Sequence, residues 1–186
     1  MDISGKRVAI LATDGFEQSE LMVPKEKLEA AGAKVDIVSL KPGEIWGWQK
    51  DDWGKSIAVD RTLDSVKVDE YDALVLPGGQ INPDLLRADK KAVQFVKDFY
   101  ASKKPLAAIC HAPWLLIEAG LAKGRKMTSY HSIATDVKNA GANWVDEAVV
   151  VDQGLITSRN PNDLDAFSAK IIEEIGEGRH ERRQVA

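Results

Sequence analysis

The sequence predicts an α/β sandwich built on a mainly parallel sheet. Three observations carry this expectation. Short, almost wholly apolar runs recur along the chain, stretches with helical spacing separate them, and glycine- or proline-rich turns close them. Such runs suit strands covered on both faces, and right-handed crossovers then place helices on both sides of the sheet.

Residues 7–12 (RVAILA) form the first run and suit a central strand. After Thr13, Asp14 and Gly15, residues 17–31 have helical spacing through Leu21, Met22, Leu28 and Ala31, with a stop at Gly32 and a break or fresh start at Pro24. Residues 34–40 give the second strand and 71–76 (YDALVL) the third, which ends in Pro77-Gly78-Gly79. A helix over 92–100 leads to the fourth strand at 106–109. Residues 44–60 and 148–158 read as hairpins, the second turning near Asp152-Gln153-Gly154, so antiparallel additions are expected. The last helix, 163–175, is apolar at Leu164, Phe167, Ile171, Ile172 and Ile175. With no repeat, low-complexity tract or linker, one domain over 1–178 and a charged tail over 179–186 are expected.

Composition narrows the function classes. The 186 residues carry 25 Lys and Arg against 29 Asp and Glu, a net charge of −4, so nothing global draws the chain to nucleic acid or anionic membranes. One cysteine excludes an internal disulfide, the start MDISGKRVAILATDG lacks a signal-peptide core, and no apolar run reaches membrane-spanning length. A cytoplasmic protein is expected. No grouping has zinc spacing and neither GxGxxG nor a Walker loop occurs, so no metal or cofactor is expected either.

The only cysteine sits in LAAICHAPWLL, where a strand turns abruptly into a helix. That is the layout of a nucleophile elbow, which exposes its nucleophile at the carboxyl end of the sheet. Pro113 suits the first helical turn, and a thiol at a helix N-terminus is pushed toward the thiolate, so a low pKa and high reactivity are expected of Cys110. The alternative is a small buried hydrophobe, the usual use of free cysteine. Gly78-Gly79 serves as a simple turn or lets backbone N–H groups approach a substrate oxygen. His131 could orient a substrate or be an ordinary surface or core histidine, and His180 belongs to the tail. Trp46, Trp48 and Trp53 suit either an interface or burial against the sheet.

Phe16-Glu17 with Glu20, residues 73–79 (ALVLPGG), 108–111 (AICH), 124–130 (GRKMTSY), 139–141 (NAG) and 149–159 together resemble the PfpI intracellular protease family. That family shares its superfamily with the Parkinsonism-associated deglycase and class I glutamine amidotransferase domains. The resemblance implies a flavodoxin-like three-layer sandwich, a nucleophilic Cys110, and Glu17 hydrogen-bonded to its sulfur and kept protonated beside a thiolate. It implies a homodimer or higher homo-oligomer, in which Cys110, His111 and an acid from a neighbouring subunit form a triad. By position that acid is Asp84, which could equally cap the short helix DLLR. Gly78, Gly79, Ala112 and Tyr130 are the implied oxyanion or substrate contacts, with Ala112 supplying an N–H. Ala112 replaces the family's usual glycine and Trp114 a polar residue such as glutamine. Three functions then compete: a stress-response cysteine hydrolase of small carbonyls or glycation adducts, a cysteine peptidase, and a redox sensor through cysteine oxidation. The departures at Asp84 and Trp114 weaken the peptidase more, so the carbonyl hydrolase is placed first.

Overall fold

The structure, a computed structural model, describes residues 1–179, so His180 and nearly all of the expected tail lie outside the described residues. The first half of the chain forms β1 (Arg7–Leu11), β2 (Phe16–Glu17), α1 (Gln18–Ala30), β3 (Lys34–Ser39), β4 (Glu44–Gln49), β5 (Asp52–Ala58) and β6 (Arg61–Thr62). It continues with β7 (Ala73–Leu76), α2 (Ile81–Ala88), α3 (Lys90–Ala101), β8 (Leu106–Ile109) and α4 (Pro113–Glu118). The last part comprises β9 (Lys126–Met127), α5 (Ala134–Asn139), β10 (Asn143–Trp144), β11 (Val149–Asp152), β12 (Leu155–Ser158) and α6 (Leu164–Glu177).

Seven strands make the central sheet in the order β11-β12-β8-β7-β1-β3-β6. Every pairing in it is parallel except β11 with β12. Alternation along β1 divides the core in two. Val8 and Ile10 face Leu21 and Leu28 of α1 and Phe167 and Ile171 of α6, while Ala9 and Leu11 face Leu86, Phe95, Phe99 and Leu115 from α2 to α4. The result is the three-layer, flavodoxin-like sandwich. Both expected hairpins are present, and the β11–β12 turn has positive φ at Gln153 (53°) and Gly154 (79°), the backbone that a tight two-residue hairpin requires.

Two local expectations are corrected. Helix α1 runs unbroken through Pro24, because Glu20, Leu21, Pro24 and Leu28 form its buried face and that burial outweighs an intrinsic proline cost of about 3 kcal/mol. The two-residue strands β2, β6, β9 and β10 were too short to show a period in the sequence. Replacing fully buried Phe167 with alanine should cost about 3–5 kcal/mol, measurable as a lower denaturant midpoint at unchanged m-value.

Candidate active site

The site forms where β8 ends. Cys110 follows Ile109 with a φ of +65°, a left-handed conformation uncommon outside glycine. Two backbone hydrogen bonds hold it there: its N–H donates to the Ser158 carbonyl (3.1 Å), and its carbonyl accepts the Tyr130 N–H (2.8 Å). The chain then turns into α4, with Pro113 in its first turn. Helix α4 has six residues, so little helix dipole acts on the sulfur.

The carboxyl at the sulfur is Glu20, not Glu17. Glu17 immediately precedes α1, and its Oε1 accepts from Ser19 N–H (3.1 Å) and Ser19 Oγ (2.5 Å), which ties it to the helix N-terminus. Glu20 lies three residues on, in the first turn, and is completely buried. Its Oε2 accepts the Gly78 N–H at 2.8 Å, its Oε1 has no nitrogen or oxygen partner, and the carboxyl shares a hydrogen bond with Cys110. Burial, with the Glu17 charge nearby, raises the Glu20 pKa to about 8. Burial also pushes the Cys110 thiol up, and a charged Glu20 pushes it further, while N–H groups of Gly79 and His111 pull it down. The low thiol pKa expected from a helix N-terminus is therefore opposed by desolvation. The two acids compete to remain neutral and titrate as one coupled pair.

Glycine is required at 78 for this packing. A Cβ there would stand 2.6 Å from Cys110 Cβ and closer still to Glu20 Oε2. At Gly79, φ is +83° and a Cβ would meet the Glu17 nitrogen at 2.8 Å. The Gly78 N–H is occupied by Glu20, and the Ala112 N–H donates to Ile109 O at 3.0 Å as part of the turn. Both of these N–H groups, which the sequence suggested as oxyanion donors, are thus already hydrogen-bonded within the fold. The N–H groups that point at the sulfur are those of Gly79 and His111.

His111 is 4% exposed, with Nδ1 at 3.1 Å from Cys110 Sγ. Its ring stacks on Tyr130 at 4.8 Å and meets Trp114 edge-on at 5.1 Å. Burial, helped by the nearby His131 charge, lowers its pKa to about 4, so the imidazole is neutral at pH 7. Asp84 does not join it within the subunit. It is exposed on α2, and its Oδ1 accepts from Arg87 Nε (3.0 Å) and Nη2 (2.7 Å). The Arg87 guanidinium lies 4.4 Å above the Trp114 ring, which makes Trp114 part of the wall around His111.

Cys110, Glu20 and His111 open onto a cavity of about 370 Å³ whose rim includes Glu17, Trp48, Lys50, Ile81, Tyr130 and Pro161. The β4–β5 hairpin thus contributes a wall. Trp48 lies against the cavity, whereas Trp46 and Trp53 are about half exposed. Among the described residues, the one group of three carboxylates close enough to share a cation is Glu173, Glu174 and Glu177 on α6, outside the residues that line the Cys110 cavity.

An open α/β sheet with a cysteine on a strained strand-to-helix turn, and a buried carboxyl beside it, defines a small class of proteins. The chain belongs to the DJ-1/PfpI family, whose pattern matches residues 6–174. It is 45% identical to the deglycase TK1284 of Thermococcus kodakarensis over 166 residues, covering 89% of this chain and 97% of that one. It is 43% identical to the putative cysteine protease YraA of Bacillus subtilis over 168 residues, covering 90% and 96% respectively. The crystal structure of Drosophila melanogaster DJ-1beta superposes with a TM-score of 0.82 at 30% identity, covering 95% of each chain.

The raised Glu20 pKa has a sign. Because the folded protein holds this proton more tightly than the unfolded chain, the contribution is full below about pH 4.5 and is lost as pH rises through about 8. Glu20→Gln keeps both an acceptor for Gly78 and a donor for sulfur but cannot ionise. Thermal melts across pH 5–9 should show a smaller alkaline fall in Tm for the Gln variant than for the parent. Gly78→Ala should lower Tm and, in iodoacetamide labelling against pH, shift the Cys110 profile as Glu20 is displaced.

Proposed function

We propose that this chain is a stress-response, cysteine-dependent hydrolase acting on small carbonyl compounds and glycation adducts in the cytoplasm. The observation that carries the reading is a buried carboxyl, Glu20, hydrogen-bonded to Cys110 beside an open cavity, with the Gly79 and His111 N–H groups already aimed at the sulfur. A single unpaired cysteine and no helix long enough to cross a membrane among the described residues accord with that compartment. The family relationship and the name of TK1284 support the substrate class.

In this scheme neutral His111 takes the Cys110 thiol proton as the sulfur attacks the aldehyde carbon and forms an S–C bond. The carbonyl π pair moves to oxygen, which takes the Glu20 proton while the two N–H groups stabilise the developing charge, and the imidazolium returns its proton to Glu20. For an α-oxoaldehyde, neutral His111 then moves a proton from the thiol-bearing carbon to its neighbour. One carbon is oxidised as the next is reduced, which gives a thioester of a 2-hydroxy acid without an outside oxidant. Water cleaves the thioester, releases the acid and returns the Cys110 thiol with its proton.

A second reading is a peptidase, favoured by the 3.1 Å approach of His111 Nδ1 to the sulfur, since an amine leaving group needs that ring as proton donor. Trp46, Trp53, Ile81 and Leu85 are exposed apolar residues, of which Ile81 lines the cavity, and they support self-association.

Turnover of methylglyoxal and of a peptide panel, measured side by side, tests the order of the two readings. Lactate formation should fall to background in Cys110→Ala and by about 100-fold in Glu20→Gln. Cleavage of peptides with no consumption of methylglyoxal would put the peptidase first.

A further inference from the structure

We propose that Asn82 is the positioning residue for the backbone N–H groups that face Cys110 and Glu20, an inference that rests on the reading of Cys110 as the reacting group. Asn82 is completely buried within the chain. Its side chain makes three hydrogen bonds: Oδ1 accepts the Thr13 N–H at 2.8 Å, and Nδ2 donates to the carbonyls of Pro77 (2.9 Å) and Gly78 (3.2 Å). One N–H donor and two carbonyl acceptors fix which end of the amide is which, and both amide protons are used.

The placement of Asn82 follows from the sheet. The ladder between β1 and β7 ends with Ile10 opposite Val75, and these two strands flank the point where strand order reverses, since the chain runs from β1 to β3 on one side and only then to β7 on the other. In an open α/β sheet the connections part there and leave a crevice at the carboxyl ends of the strands. The Asn82 amide occupies that place. Thr13 N–H comes from the end of β1 and the Pro77 and Gly78 carbonyls from the end of β7, so a side chain in the first turn of α2 joins the two strands where their own pairing has stopped.

The two joined segments carry groups that face the reacting atoms. The end of β7 supplies the Gly78 N–H, which donates to Glu20 Oε2, and the Gly79 N–H, which faces the Cys110 sulfur. The segment after Thr13 leads into α1 and Glu20, and its Glu17 N–H makes a second tie to the Gly78 carbonyl at 3.2 Å. Each glycine N–H favours the charged form of the acid it faces. That effect needs the N–H held at hydrogen-bond distance, and two successive glycines do not hold a loop by themselves. Asn82 supplies the constraint from outside the cavity, without touching sulfur or substrate.

Asn82→Ala removes all three bonds, and Asn82→Ser returns one, because a hydroxyl there reaches the carbonyl four residues back, that of Gly78. Iodoacetamide labelling of Cys110 at pH 8 should slow by about threefold in Asn82→Ala, since the thiol loses an N–H that favours its charged form, and serine should recover part of the rate. The Gly79 amide NMR signal should move in Asn82→Ala and return toward its parental position in Asn82→Ser. In the methylglyoxal assay, Asn82→Ala should lower kcat by about tenfold with KM little changed. A lower Tm in both variants, with parental labelling rates and a parental Gly79 signal, would make Asn82 a purely structural residue and overturn the proposal. If Asn82→Ala does not fold, Asn82→Ser decides by the same two readouts. If neither folds, the parent decides: Asn82 side-chain NH2 protons protected from deuterium exchange support the clamp, and exchange as fast as in an exposed amide overturns it. A parent that turns over neither methylglyoxal nor peptide defeats the functional reading, while labelling and the Gly79 signal still decide whether Asn82 holds the loop.

Discussion

Two acids buried against each other, each pushed toward its neutral form, are the constraint on which this structure turns. Glu20 is completely buried, so its charge must be avoided or compensated, and the compensation at hand is a single backbone N–H and a sulfur. Much of the surrounding sequence follows from keeping that arrangement compact. Gly78 has no side chain because the carboxyl and the cysteine occupy the space, and the left-handed turn at Cys110 points the sulfur at Glu20 and away from the core of β8. The backbone strain is contained by strands and a loop that are otherwise ordinary, through one hydrogen bond to β12 and one from Tyr130.

The layered fold was legible because its signals are strong and local. Runs such as ALVL and LAAI, buried throughout, have no other stable home than the middle of a parallel sheet. The elbow was legible from a strand, a cysteine and a proline in that order. The acid at the sulfur lies three residues beyond the glutamate that the resemblance implies. Glu17 and Glu20 both open α1, and helical spacing does not separate them: Glu17 is four residues from buried Leu21 and Glu20 four from buried Pro24. Only the backbone geometry at the helix start decides, placing Glu17 before the helix as its cap and Glu20 in the first turn facing inward.

Other features depend on contacts that no local pattern encodes. That the Ala112 N–H is spent on the turn, that Asp84 grips Arg87, and that the histidine ring lies between Tyr130 and Trp114 are facts about segments distant in sequence. Trp114 shows how a large ring is accommodated at the site: it has a carboxylate at its N–H, a guanidinium over its face and an imidazole at its edge.

The β4–β5 hairpin is attached to the body in a particular way. Gly15 N–H donates to Trp46 O, Trp46 N–H to Asp14 Oδ1, and Lys55 N–H to Gln18 Oε1, while β2 pairs with β4 immediately before α1 begins. Every one of these ties lands on residues 14–18, the segment that leads directly into the turn carrying Glu20. The hairpin that brings Trp48 to the cavity and the helix that brings Glu20 to the sulfur therefore hang from the same stretch of backbone.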